Sequence, residues 1–477
     1  MKNTTRSWHI GLGVALVGTL AFPGSARADD TREKELADRV EQLEKQLKSI
    51  QEGLRGGIAA GFSSELEARV AELEAIARKD KGGLGMYWSN GLRMKSADGK
   101  TSFKFGGRIQ TDFASYDADS GIKRAVGQVN SGSRFRRARL YMAGTVYKNV
   151  DFKAQYDFAG GGPGFRDVWI GFKNLLPFGY VKVGHQFEPF GLEEQTSSKY
   201  ITFMERSVVT ALQPGRNTGI SVSDVVDDGN LTWKLGVFRN TNGVGDDRAN
   251  KDSGEWNATA RITHMGEIAD ESGQPHFYHL GAAYSMRTAS NDRAGWGSGG
   301  ESSLAPALVG TGTLGIDDST VLGLEAAYVA GPLSVQGEYT VVKADGTGPK
   351  FTDLGGSTSF VPGPSSSSRF DAWAAQISYF LTGESRPYDK KNGVFGRVSP
   401  KNNHGEDGSY GALELAARIS EIDLNDGPVR GGQMDVITVG LNWYLNPVTR
   451  IMLNIGKADV KHVGDLEFVQ LRFQIDW

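Results

Sequence analysis

The chain has 477 residues, a formal net charge of −3, 64 glycines, 15 prolines and no cysteine. Disulfide staples, thiol catalysis and thiolate metal sites are excluded, and the mildly acidic balance implies no nucleic-acid partner. A mean hydropathy of −0.36, with no run of eighteen apolar residues, argues against a helical membrane span but not against a barrel, whose strands bury only one face in lipid.

Residues 1–28 carry Lys2 and Arg6 ahead of an apolar run from Ile10 to Phe22, then Ala26-Arg27-Ala28. This predicts a secretory signal peptide, whose removal takes the net charge to −6. Next, Leu36, Val40, Leu43, Leu47, Ile50 and Leu54 recur at the spacing of a coiled coil. After a break at Gly53 to Gly61, a shorter run holds Leu66, Val70, Leu73 and Ile76. The expectation is an α-helical coiled-coil segment over 29–80. Its Glu- and Lys-flanked heptads favour self-association over a single helix lying on the barrel. A linker follows over 81–90, then a barrel over 91–477.

From Leu92 the period becomes two. Phe103, Phe105, Ile109 and Phe113 fall opposite Lys104, Arg108, Gln110 and Asp112; at the other end Val469, Leu471, Phe473, Ile475 and Trp477 fall opposite Gln470, Arg472, Gln474 and Asp476. Strands are predicted near 101–117, 137–146, 151–158, 165–173, 179–187, 217–226, 229–239, 254–264, 276–287, 319–330, 332–343, 369–381, 410–421, 433–446, 449–458 and 466–477. About sixteen half-apolar strands separated by glycine-rich turns predict an all-β, transmembrane antiparallel β-barrel. Short turns at 148–150, 174–178, 227–229, 331–332 and 446–448 share one end with both termini. Long loops at 118–133, 188–216, 240–253, 288–318, 344–368 and 422–432 share the other. In outer-membrane barrels short turns are periplasmic, which places the coiled coil and the carboxyl terminus in the periplasm. Segment 382–410 is long yet falls on the short-turn side, so it is an insertion or the strand count is off by one.

Several stretches carry a resemblance: Gly106-Gly107-Arg108, Phe135-Arg136-Arg137-Ala138-Arg139, Val183-Gly184-His185-Gln186-Phe187 with Pro189-Phe190-Gly191, and Thr196-Ser197-Ser198-Lys199 with Phe203-Met204-Glu205-Arg206. Leu381-Thr382-Gly383-Glu384-Ser385-Arg386 and Leu441-Asn442-Trp443-Tyr444-Leu445-Asn446-Pro447 complete the set. Together, over about residues 90 to 477, they resemble the phosphate-selective porin O and P family. The resemblance implies a sixteen-strand outer-membrane barrel, a homotrimer and a channel favouring phosphate-like anions. It also carries anion handling onto Arg108 and the arginine cluster of Arg134, Arg136, Arg137 and Arg139. The coiled coil lies outside it.

A barrel of this size leaves an aqueous channel unless something folds into it. Tyr200, Ile201, Phe203 and Met204 make the loop from Glu188 to Arg216 the candidate constriction. Alternation sends twelve basic residues inward: Lys104, Arg108, Arg137, Arg139, Lys153, Lys173, Lys182, Lys234, Arg261, Arg287, Arg418 and Arg472. Arg136 is left near the rim, within reach of lipopolysaccharide or a trimer neighbour. The expected anion-binding, pore-lining set is Arg108, Arg137, Arg139, Lys153, Lys182, Lys199, Arg206 and Arg216. Against it, Glu188, Glu193, Glu194 and Glu205 give the loop a formal balance of −1, so phosphate handling there requires those carboxylates turned away or paired. The loop 288–318 and the serine-rich 356–368 read as mobile external loops. Gly310, Gly312 and Gly315 match a dinucleotide fingerprint without its strand-to-helix setting, and His276 and His279 point to opposite faces. No enzyme, cofactor or metal site is expected. The expected function is passive passage of small anions. The alternatives are a general, sugar- or carboxylate-passing porin, or a structural tether to peptidoglycan through the coiled coil.

Overall fold

The computed structural model describes residues 83–477 apart from residues 242, 244, 246–255, 270–272, 290–292, 347–349, 354–357 and 362–366; before residue 83 it describes Gln42 and Lys45 alone, both helical. The signal peptide, the rest of the 29–80 segment and most of the serine-rich 356–368 stretch therefore lie outside the described residues.

Sixteen antiparallel strands close on themselves. In chain order they are β1 (Ser102–Ala118), β2 (Gly132–Val146), β3 (Val150–Asp157), β4 (Gly164–Phe172), β5 (Tyr180–Phe187), β6 (Arg216–Val226), β7 (Leu231–Arg239) and β8 (Asn257–Glu267). There follow β9 (His276–Thr288), β10 (Leu314–Ala330), β11 (Leu333–Gly346), β12 (Ser368–Phe380), β13 (Ala412–Asp426), β14 (Val429–Asn446), β15 (Thr449–Val460) and β16 (Gly464–Asp476). Each pairs with its neighbour in sequence, and β16 returns to β1 with Leu471 opposite Phe113 and Arg472 opposite Asp112. Each predicted strand has its counterpart. The alternation explains the orientation: Phe113 and Phe473 stand exposed on the outer wall, rings edge to face at 6.3 Å, while Gln470, Arg472 and Asp476 are buried inside. At the seam, Gly107 and Trp477 exchange two backbone hydrogen bonds of 3.1 and 3.2 Å. A Cβ on Gly106 or Gly107 would overlap the Trp477 backbone or ring, so the paired glycines admit the last residue.

Three readings change and one open alternative closes. The stretch 422–432 is no long loop: Ile422 pairs with Met434 and Asp426 with Val429 around a tight turn at Gly427, whose φ is 52°. A register shift between Gln110 and Thr111 leaves Arg136 as the extra residue of a bulge in β2, which turns it from the rim into the lumen. The segment 382–410 is an insertion at the short-turn end, the strand count being right; it carries a small hairpin of Tyr388–Asp389 and Val394–Phe395, with Phe395 buried. The loop 288–318, read as external, sends Glu301 into the interior, where Arg418, Ser420 and Thr438 meet it. In addition, residues 81–90 contain a strand, Leu84–Trp88, which pairs with Leu92–Ser96; the latter pairs with the start of β1, below the end of β16.

The main apolar cluster lies inside the barrel at the long-loop end. Phe190, Val208, Val209 and Leu212 from the loop after β5 meet Ile316, Val342, Phe370, Ile422, Met434 and Phe468 from the wall. It fills the lumen against β9–β16 and leaves the side of β2–β8 open. Each such side chain buried contributes roughly 1.5–3 kcal/mol, which fixes the position of the open path.

Candidate functional site: an offset channel

The loop from Glu188 to Arg216 enters the lumen through a short helix, Leu192–Gln195, and leaves it after a 3-10 turn, Val208–Ala211. Phe190, Leu192, Phe203, Met204 and Val209 are wholly buried. Phe190 lies so close to Gly323 of β10 that a Cβ there would overlap its ring. Its four glutamates are all paired. Glu188 Oε2 meets Arg287 Nη1 at 2.8 Å, and Glu193 Oε1 meets Arg418 Nη1 at 3.1 Å. Glu194 Oε2 meets Arg206 Nε at 3.1 Å. Glu205 is gripped by Arg136 through two hydrogen bonds of 2.8 and 2.9 Å and by Arg472 at 2.6 Å. Burial opposes its charge, yet Arg136, Arg137 and Arg472 hold its carboxyl well below the usual carboxylate range. Glu188, Glu193 and Glu205 thus fasten the loop to the wall, while Glu194 pairs within it. Equally, Arg287, Arg418 and Arg472, counted in sequence as pore cations, are engaged in anchoring.

Two chambers occupy the open side, with Phe187 lining both. The one nearer the long loops, about 300 Å³, is lined by Arg136, Arg137, Arg139, Arg166, Arg206 and Arg216, with Glu194 the one carboxylate in its lining. The one nearer the short turns, about 750 Å³, is lined by Lys153, Lys173, Lys182, Lys234, Lys391 and Arg261, with Asp151, Asp167, Asp224 and Asp389 among them. Between them Arg216 stacks on Phe187, guanidinium carbon 3.5 Å from the ring centre, while its Nε meets Asp167 Oδ1 at 2.8 Å.

The eight expected pore residues divide. Arg137, Arg139, Arg206 and Arg216 meet in the arginine chamber, and Lys153 and Lys182 in the lysine chamber. Arg139 meets Asp157 Oδ2 at 2.7 Å and Lys153 meets Asp167 Oδ2 at 2.5 Å. Lys182 lies over the Trp169 ring at 4.5 Å and forms no ion pair among the described residues. Arg137 donates to Gln110 Oε1 at 2.8 Å, and its Nε finds no protein acceptor. Arg108 and Lys199 line neither chamber: Arg108 donates to Ser198 Oγ at 2.5 Å, and Lys199 pairs with Asp476 Oδ2 at 2.9 Å. Arg166 was missed because alternation with the inward Asp167 sends it outward, whereas a register shift opposite Gln155 places the two together in a bulge of β4. Lys391 and Phe395 were missed because insertion 382–410 shows no period; its hairpin folds back so that Gly393 O accepts from Arg261 Nη2 at 2.8 Å.

The sequence profile of the phosphate-selective porin O and P family matches residues 103–477. The chain belongs to that family. This porin is 25% identical over 444 residues to Porin O of Pseudomonas aeruginosa, covering 83% of this chain and 93% of that protein. It is 29% identical over 395 residues to an uncharacterised protein of Caulobacter vibrioides, covering 78% of this chain and 71% of the other. Among solved structures, an anion-selective porin from Comamonas acidovorans is similar at 15% identity and a TM-score of 0.46, over 79% of this chain and all of that one. The protein is an outer-membrane porin.

Proposed function

We propose that this porin passes small anions, phosphate or a related oxyanion, from the arginine chamber past Phe187 to the lysine chamber. The observation that carries this is the lining of the arginine chamber, six guanidinium groups gathered around one space and outnumbering the four carboxylates paired to them, Asp157, Asp167, Glu194 and Glu205. Arginine offers a fixed fork of donors that suits phosphate oxygens, and charge of one sign along a pore wall attracts the opposite ion. The lysines beyond act as point charges that bind less tightly, which lets the ion leave. Passage is passive. The four aspartates lining the lysine chamber support a second reading, a weakly selective channel that also passes carboxylates or sugars.

The same reading places the long loops outside the cell, against lipopolysaccharide, and the short turns and both termini in the periplasm. It makes the protein a homotrimer, with the 29–80 heptads pairing between copies; a tether from those heptads to peptidoglycan is the structural alternative. The deciding experiment is single-channel current in a chloride gradient followed by titration with phosphate. The expected result is a reversal potential on the anion side, block by phosphate, and loss of both in Arg137→Ala/Arg139→Ala. Anion preference without block retains the channel and removes phosphate. No current at all favours the tether, which pull-down on peptidoglycan with and without residues 29–80 tests directly.

A further inference from the structure

Next to the lysine chamber, with which it shares Tyr200, and between the constriction loop and the turn that joins β14 to β15, lies a cavity of about 10 Å³. Its lining includes Lys199, Arg397 and Arg450, with Tyr444, Asn446 and Thr449, and holds no carboxylate. Arg450, on β15, is 2% exposed. Its Nη1 donates to Ile201 O at 2.9 Å and to Tyr444 Oη at 3.1 Å, but its Nε and Nη2 have no protein acceptor. Those two nitrogens are one face of the guanidinium fork, the geometry with which arginine grips an anion.

The local charge is unbalanced. Asp476 engages both Lys199 and Arg397. Glu414 reaches Arg450 only through Tyr444, whose hydroxyl donates to Glu414 Oε2 at 2.8 Å. A buried cation without a counter-charge is strongly unfavourable, and an unmade hydrogen bond on a buried donor adds to that. A water accepts hydrogen bonds but leaves the charge. The cavity has room for one small spherical particle, a water or a halide ion, and not for the four oxygens of a tetrahedral oxyanion.

We propose that this cavity is a structural site for one halide ion, chloride in the cell, held by the Nε and Nη2 of Arg450 and the charges of Lys199 and Arg397. The ion ties the loop residues Lys199 and Ile201, the insertion residue Arg397 and strand β15 into one unit. It stands apart from the transport reading, since it lies outside both chambers and is too small for the transported oxyanion.

The test is anomalous diffraction from crystals of the full-length protein grown in sodium bromide, with Arg450→Lys and Arg450→Met beside the wild type. One bromide peak within hydrogen-bond reach of Arg450 Nε is expected, weakened in Arg450→Lys and lost in Arg450→Met. No wild-type peak, meaning water alone, overturns the proposal; so does an undiminished peak in Arg450→Met. Should the variants fail to fold, the wild type decides through a second reading. Its heat-denaturation midpoint is expected to be higher in chloride or bromide than in gluconate at equal ionic strength, and equal midpoints overturn the site.

Discussion

Lys199 is a lysine whose burial pushes its ammonium down to about 8, with Arg108 and Arg397 pushing the same way and Asp476 holding it up. Its charge is full at neutral pH and falls away as pH rises through that value. We expect the anion-over-cation permeability ratio to decline between about pH 7 and 9, and Lys199→Arg, which cannot lose its charge in that range, to flatten that decline. A ratio that titrates identically in both proteins would remove Lys199 from the permeation field. The arginines differ by what they meet. Arg472 is locked between Asp112 and Glu205, whereas Arg137 reaches Glu205 only at 3.9 Å and keeps a buried nitrogen, Nε, without a protein acceptor. Alternation along a strand tells which side chains face inward, and Arg137, Arg139 and Arg472 were legible in that sense. It cannot tell which of them meets a carboxylate from a loop some 270 residues away, as Arg472 meets Glu205.

The constriction loop behaves as an element clipped to the wall at a few charged points, and Arg418 is the point shared with a second loop. Its Nη1 meets Glu193 and its Nη2 meets Glu301 at 2.5 Å, while Nη2 also donates to Glu205 O at 3.0 Å. Removing one partner of a buried ion pair typically costs about 3–5 kcal/mol. Arg418→Leu strands two buried carboxylates, so both loops are expected to loosen. Larger single-channel conductance, more current noise and weaker anion preference are the readout; unchanged conductance would show that apolar packing alone holds the loops. The strands were legible because a half-lipid, half-water wall imposes period two on every crossing. The bulge at Arg136 was not, since the extra residue shifts the phase of the alternation, with Arg134 opposite Asp112 on one side of it and Arg137 opposite Gln110 on the other, and nothing in the arginine run marks where the shift falls. Nor was the inward turn of Glu301, because the serine- and glycine-rich stretch that carries it reads as solvent-exposed loop.

At the scale of the molecule, β3, β4 and β5 form a run of adjacent short strands in the wall, 8, 9 and 8 residues against 17 for β1, with β7 at 9 two strands further on. Crossing a bilayer takes about 9–11 residues, so this low side suits burial against another copy, in keeping with the proposed trimer. Deleting residues 29–80 is expected to lower the temperature at which such a trimer separates on a gel while leaving the barrel folded. A trimer of unchanged heat stability would mean that the heptads serve something else.

The loop that sets the channel's width is made when less than half of the chain exists, yet Arg418, Arg450 and Arg472, which hold it, belong to the last seventy residues. Those three clasps therefore do not exist until the strands that complete the circle are made, although Arg136 and Arg287 are in place earlier. Contacts so distant in sequence form late and slowly. An unfinished chain has neither a sealed wall nor a seated loop, so the filter and the barrel mature in one event. A truncated copy would lack the geometry of a selective hole in the membrane.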